Sequence, residues 1–171
     1  MSVNHRMPLT RYQRDIWVSS AEHPEHPQFN EIFYYRMEGD LDLERLRACI
    51  IRVLKRNDPW RLRFGEEDGK PCQWLDPADP HVAVIDFREL PDPRASIAEW
   101  VESSMACAFE LTGNSLFQVG LVRESERVTY LFGKAHHIVS DGWTLQLCGP
   151  RCSRSTGRPS PPGFRRPHAG T

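Results

Sequence analysis

Residues 134–143 read Lys134-Ala135-His136-His137-Ile138-Val139-Ser140-Asp141-Gly142-Trp143. An apolar run, residues 128–132 (VTYLF), leads into this stretch, which gathers polar, titratable and glycine residues at the end of a strand. Successive side chains on a strand point to opposite faces, so His136 and His137 cannot share one task. One is expected to face the interior and the other a cavity, where a neutral imidazole can accept a proton from a nucleophile. Asp141-Gly142 supplies a tight turn and the start of a helix through Leu145 and Leu147. Gly142 would let a substrate approach the backbone closely, with its N–H available to an oxyanion. The competing reading makes the histidines hydrogen-bonded structural residues and Asp141-Gly142 a simple turn. Neighbouring strand residues diverge, and no third nitrogen or sulfur ligand stands nearby, so no metal is expected.

Working outward, Thr10-x-x-Gln13 fits a capping box before a helix with Leu9, Tyr12, Ile16 and Trp17 on one face. Residues 31–36 (EIFYYR) form a β-rich run. Asp42 opens an amphipathic helix with Leu43, Leu46, Ile50, Val53 and Leu54 facing one way. Residues 60–64 and 72–75 flank Asp68-Gly69, a hairpin signature. Residues 82–87 read as a short strand. Residues 93–109 read as a helix with Ile97, Trp100, Val101 and Met105 on its apolar side. Residues 116–122 and 128–132 read as two strands joined by the charged turn at 123–127. This order implies an α/β (α+β) layer sandwich, a mixed sheet covered by helices.

The 171 residues carry 22 Lys and Arg against 23 Asp and Glu, a net charge of -1. Such a balance gives no general attraction to nucleic acid or to an anionic membrane, and neither is expected as a partner. The length suits one domain with a real core. No apolar run reaches the roughly 18 residues a spanning helix needs, and the first residues lack a signal-peptide core, so a cytoplasmic protein is expected. The five cysteines, at 49, 72, 107, 148 and 152, have no framework spacing and are expected to be buried free thiols in a reducing compartment. Residues 148–171 hold five Arg, five Pro and no acidic group, leaving 17 basic and 23 acidic groups in residues 1–147. This basic Pro/Arg/Gly-rich tail has neither helical nor strand periodicity and is expected to be disordered.

At HHIVSDGW, residues 136–143, the sequence resembles the core motif of the condensation domains of nonribosomal peptide synthetases, whose fold is chloramphenicol-acetyltransferase-like. Leu9-Thr10-x-x-Gln13-x-x-Ile16-Trp17 resembles the family's opening motif. Arg56-Asn57-Asp58-Pro59-Trp60-Arg61-x-Arg63-Phe64 resembles its second, with Asn57-Asp58 where His-Glu is usual and Leu62 where Thr is common. Phe109-x-Leu111 and Leu116-Phe117 sit where the family places an FxL…LF pattern. Gly142-Trp143 fits amide-forming members better than epimerising ones, and the histidine pair sets the chain apart from heterocyclising ones.

The resemblance implies that an acceptor amine attacks a donor acyl thioester, both carried on phosphopantetheine arms, with no cofactor bound directly. It implies peptidyl or aryl carrier proteins and adjoining synthetase modules as partners. It assigns His137 to removing the amine proton or positioning the nucleophile, and Gly142 to backbone near the oxyanion. Asp141 would be structural, paired with an arginine of the second motif, Arg61 rather than Arg56, and His136 would be a satisfied structural histidine. Gln13 and Trp17 are expected to be cap and core. A complete domain of this family has two lobes with the channel between them, and this chain has room for the first. The expectation is therefore an N-terminal lobe at 1–147, inactive by itself, with a frameshift or truncation near codon 148. The alternatives are a trimeric coenzyme A-dependent acetyltransferase and a non-catalytic carrier-protein docking fragment.

Overall fold

Thr10 and Gln13 close the expected capping box. The Thr10 hydroxyl accepts the Gln13 N–H, and the Gln13 side chain accepts the Thr10 N–H. They start α1 (Arg11–Glu22), which follows the two-residue strand β1 (Met7–Pro8). The computed structural model describes residues 5–140, and the expectations for Asp141, Gly142 and the 148–171 tail lie outside them. Strand β2 (Asn30–Glu38) leads to α2 (Leu43–Lys55), which is capped by the Asp42 carboxylate on the Arg45 N–H. A 3-10 turn, Asp58–Arg61, precedes β3 (Leu62–Glu67) and β4 (Lys70–Leu75). Between β3 and β4, Asp68 and Gly69 both take left-handed backbone (φ 51° and 69°), as a type I′ hairpin turn requires. Then come β5 (Ala83–Asp86), α3 (Pro93–Ala106), β6 (Phe117–Arg123) and β7 (Val128–His136).

The strands form two sheets rather than one. A four-stranded mixed sheet runs β2-β7-β6-β5, with β5 parallel to β6 across α3, and a three-stranded antiparallel sheet runs β1-β4-β3. Both faces of the mixed sheet are buried, which makes three layers. Leu131 and Ala135 of β7, with Phe117, Val119 and Leu121 of β6, meet Leu46, Ile50 and Leu54 of α2. Tyr130 and Phe132, one residue out of phase, meet Ile97 and Trp100 of α3 on the opposite face. A third cluster joins Ile16 and Trp17 of α1 to Phe64, Phe109, Leu116, Ile138 and Val139, and so packs α1 against the end of β7.

Several local expectations change. Tyr12 and Met105 are exposed (56% and 42%), because α1 and α3 each bury a narrower stripe than their apolar residues suggest. Helix α3 ends at Ala106, which leaves Phe109 in the following loop. Trp60 and Arg61 belong to the 3-10 turn, where Pro59 fixes the first residues, and not to the hairpin strand. Cys49 and Cys72 are buried free thiols, whereas Cys107, just past the end of α3, is exposed.

Gly133 sits directly opposite Phe33 on β2, and the Phe33 ring lies where a Cβ would be. Gly133→Ala is therefore expected to drive the ring from its seat and to cost about 1–3 kcal/mol, read from the denaturant midpoint. In a Phe33→Ala background the same change should be close to neutral, because the overlapping ring is gone. Equal costs in the two backgrounds would show that the glycine is needed for another reason.

Candidate functional site

The end of β7 is held from two sides. The His136 N–H donates to the Leu116 carbonyl, and the His137 N–H donates to the Phe29 carbonyl, each at 2.9 Å. The chain then turns at once, with the Val139 N–H donating to the His136 carbonyl at 3.0 Å. This turn aims the two histidines apart, as strand alternation requires.

His136 points inward and is 4% exposed. Its ring lies between Phe29 and Phe109, at centroid distances of 5.6 and 6.1 Å. Its Nδ1 accepts the Ile138 N–H at 3.3 Å, so the neutral ring carries its proton on Nε2. Burial, followed by the charges of His137 and Lys134, pushes its pKa down to about 4. Lys134, two residues back on the same face, is itself buried, donates to the Cys107 carbonyl at 2.6 Å and lies over the Phe109 ring. Burial lowers its pKa as well.

His137 faces the other way, and its side chain keeps 36% of its surface exposed. Its Nε2 lies 3.1 Å from Oε1 of Glu31, the second residue of β2. Oε2 of Glu31 accepts the Ser140 hydroxyl at 2.7 Å, and that hydroxyl also lies 3.2 Å from the His136 carbonyl. Nδ1 of His137 is buried and has no partner among the described residues. Glu31, His137 and Ser140 thus form a polar array at the mouth between β2 and β7. Sequence reasoning placed Glu31 at the start of a strand but gave it no role. Only the β2–β7 register, which pairs Glu31 with Ala135, brings it beside His137.

The arginines of the second motif lie on the other side of the α2–sheet core. Nη2 of Arg61 donates to the Asp76 carbonyl at 2.9 Å, and Nη1 lies 3.9 Å from Asp58. Its Nε is buried without a partner among the described residues. Arg63 pairs with the Asp76 carboxylate at 2.5 Å, while Arg56 sits exposed at the C-cap of α2. The expected partner of Arg61, Asp141, and the expected oxyanion donor, Gly142, lie outside the described residues. Gln13 and Trp17 are cap and core, as expected. The Gln13 amide also bonds Gln73 on β4 at 2.9 Å. Among the described residues, no group of three or more His, Cys, Asp or Glu could hold a metal, and no helix is long and apolar enough to cross a membrane.

Comparison with known proteins agrees with this architecture. The family model for the condensation domain matches residues 3–149. A dimodular nonribosomal peptide synthase of Bacillus subtilis (strain 168) is 27% identical over 144 residues, which is 84% of this chain and 6% of that protein. The isonitrile lipopeptide synthase of Streptomyces coeruleorubidus is 28% identical over 148 residues, 85% of this chain and 10% of that protein. Among solved structures, the starter condensation domain of rhizomide synthetase RzmA superposes with a TM-score of 0.80 at 24% identity, covering 87% of this chain and 36% of that one. The first condensation domain of the CDA synthetase superposes at 0.75 with 22% identity, covering 94% of this chain and 43% of that one. The chain therefore spans under half of the solved domains and a small fraction of the curated relatives. The solved structures carry the fold, a chloramphenicol-acetyltransferase-like layer sandwich. With the family model matched over most of its length, the chain belongs to the condensation-domain family.

Proposed function

We propose that this chain is the N-terminal lobe of an amide-forming condensation domain, acting on two thioesters carried on the phosphopantetheine arms of carrier proteins. The acceptor's amine nitrogen attacks the donor's acyl carbon, the N–C bond forms and the C–S bond breaks. The proton lost by the amine ends on the departing thiol. His137 is the residue that positions that amine or carries its proton, and the backbone at Gly142 faces the developing oxyanion. Asp141 is the structural partner of Arg61, whose buried Nε has no acceptor among residues 5–140. The observation that carries this reading is the arrangement at the end of β7, with His136 sealed inside and His137 left half-open beside a carboxylate.

The test is a two-lobe protein in which residues 5–140 replace their counterparts in the RzmA starter domain. Its substrates would be C8-CoA and Leu-SNAC, the ligands found together in a variant of that domain. A cooperative unfolding transition is verified first, and mixing the 171-residue chain with the separately made second lobe serves as a second arrangement. Amide product is expected, with His137→Ala lowering its rate by at least about 100-fold. The chain alone is expected to give none, because nothing then orients both thioesters. No product from the folded two-lobe protein, or turnover indifferent to His137→Ala, overturns the proposal.

A further inference from the structure

An ionised carboxylate has no proton to donate, so a neutral imidazole that meets one at hydrogen-bond distance must bring the hydrogen itself. Glu31 Oε1 meets His137 at Nε2, 3.1 Å away, and this contact selects the Nε2–H tautomer. The other ring nitrogen, Nδ1, is buried without a partner among the described residues, so nothing there opposes the choice. A lone pair left unpaired at Nδ1 also costs less than a buried N–H would. Glu31 is itself held. Its backbone is fixed by the β2–β7 ladder opposite Ala135, and its second oxygen takes the Ser140 hydroxyl at 2.7 Å.

We infer that Glu31 is the positioning residue for His137, fixing the tautomer and orientation of its ring, with Ser140 clamping the carboxylate. The consequence rests on the reading of His137 as the residue that handles the acceptor amine. A ring free to turn about χ2 would present either nitrogen or a carbon to the substrate. A ring tied through Nε2 to a clamped carboxylate presents one geometry, and misplacement of about 1 Å in such a group can cost about 100-fold in rate. Ser140 and Glu31 lie 109 residues apart in sequence and are joined only by the fold.

Long-range proton–nitrogen correlation spectra of the 15N-labelled 171-residue chain test this directly. The His137 signals are assigned by their loss in His137→Gln. The Nε2–H form is expected in the unaltered chain. In Glu31→Gln, whose amide can donate as well as accept, a mixture of both tautomers is expected, with Ser140→Ala between the two. An Nδ1–H ring in the unaltered chain, or a tautomer indifferent to Glu31→Gln, overturns the inference. In the two-lobe protein, Glu31→Gln is expected to lower kcat roughly 10- to 100-fold with KM unchanged, and Glu31→Asp to restore part of it. The two readings fail separately. Activity that survives His137→Ala removes the functional reading, whereas loss with His137→Ala but not with Glu31→Gln removes only the positioning role.

Discussion

Trp60→Ala is expected to cost about 3–5 kcal/mol of folding stability and to lower Tm by on the order of 10 °C. Trp60 is 4% exposed and stacks on Phe117 with ring centroids 4.9 Å apart and planes 15° apart. It fills the space between the mixed sheet and the C-terminal half of α2, in contact with the cluster of Leu46, Ile50 and Leu54. The surroundings cannot close over the void. The 3-10 turn that carries Trp60 is set at one end by Pro59 and tied at the other by the Arg61 guanidinium on the Asp76 carbonyl. Truncation therefore loses both the transfer energy of the indole and the contacts around the cavity. Trp60→Phe separates packing from polarity. The indole Nε1 is buried with no acceptor among the described residues, so deleting it removes no hydrogen bond that the structure shows. A cost below about 1.5 kcal/mol is expected for Phe. Denaturant midpoints at constant m-value measure both. Near-native stability for Trp60→Ala would mean that the ring is not part of the core.

The same residue shows where the sequence was legible. Features set by neighbours a few residues away were readable. The Thr10–Gln13 box, the Asp42 cap, the stripe along α2 and the Asp68-Gly69 turn all formed as expected, because each is settled within about one turn of chain. Features that depend on a distant strand were not readable. The second sheet rests on a two-residue strand at Met7–Pro8, too short to show any alternation, pairing with Cys72 and Gln73 some 65 positions away. Trp60 read as strand because it is aromatic, although Pro59 before it favours a 3-10 turn. At the site, alternation alone put His136 and His137 on opposite faces, and the structure seals one and opens the other. What alternation does not supply is register. Glu31 and Ser140 became visible as neighbours of His137 only once β2 was laid against β7.

Register also places the group with the strongest expected pH dependence. His136 is expected to cost the fold up to about 3 kcal/mol of stability as the pH falls from 6.5 to 4. The sign follows from which state binds the proton. In the folded chain the pKa lies near 4, against an ordinary imidazole value near 6.5. Between these values the unfolded chain takes up a proton that the folded chain refuses, so stability rises with pH through that window and is complete above it. The cause is local. A proton on Nδ1 would displace the hydrogen bond from the Ile138 N–H, in a cage walled by Phe29 and Phe109, with Lys134 and His137 adding unfavourable charge. Asp86 acts in a lower window. The Arg88 guanidinium holds its carboxyl down to about 2, so its contribution is present above pH 3.8 and fades only as the pH drops toward 2. Urea titrations from pH 7 to 4 should therefore show a slope that His136→Asn flattens, since Asn Oδ1 can accept the Ile138 N–H without titrating. Direct titration of the His136 ring by nuclear magnetic resonance gives the same answer should that variant fold poorly. An unchanged slope in His136→Asn, or a ring that titrates near 6.5, would place His136 in contact with solvent. His136 and His137 would then have the same environment, and the division of labour between the two histidines would fall with it.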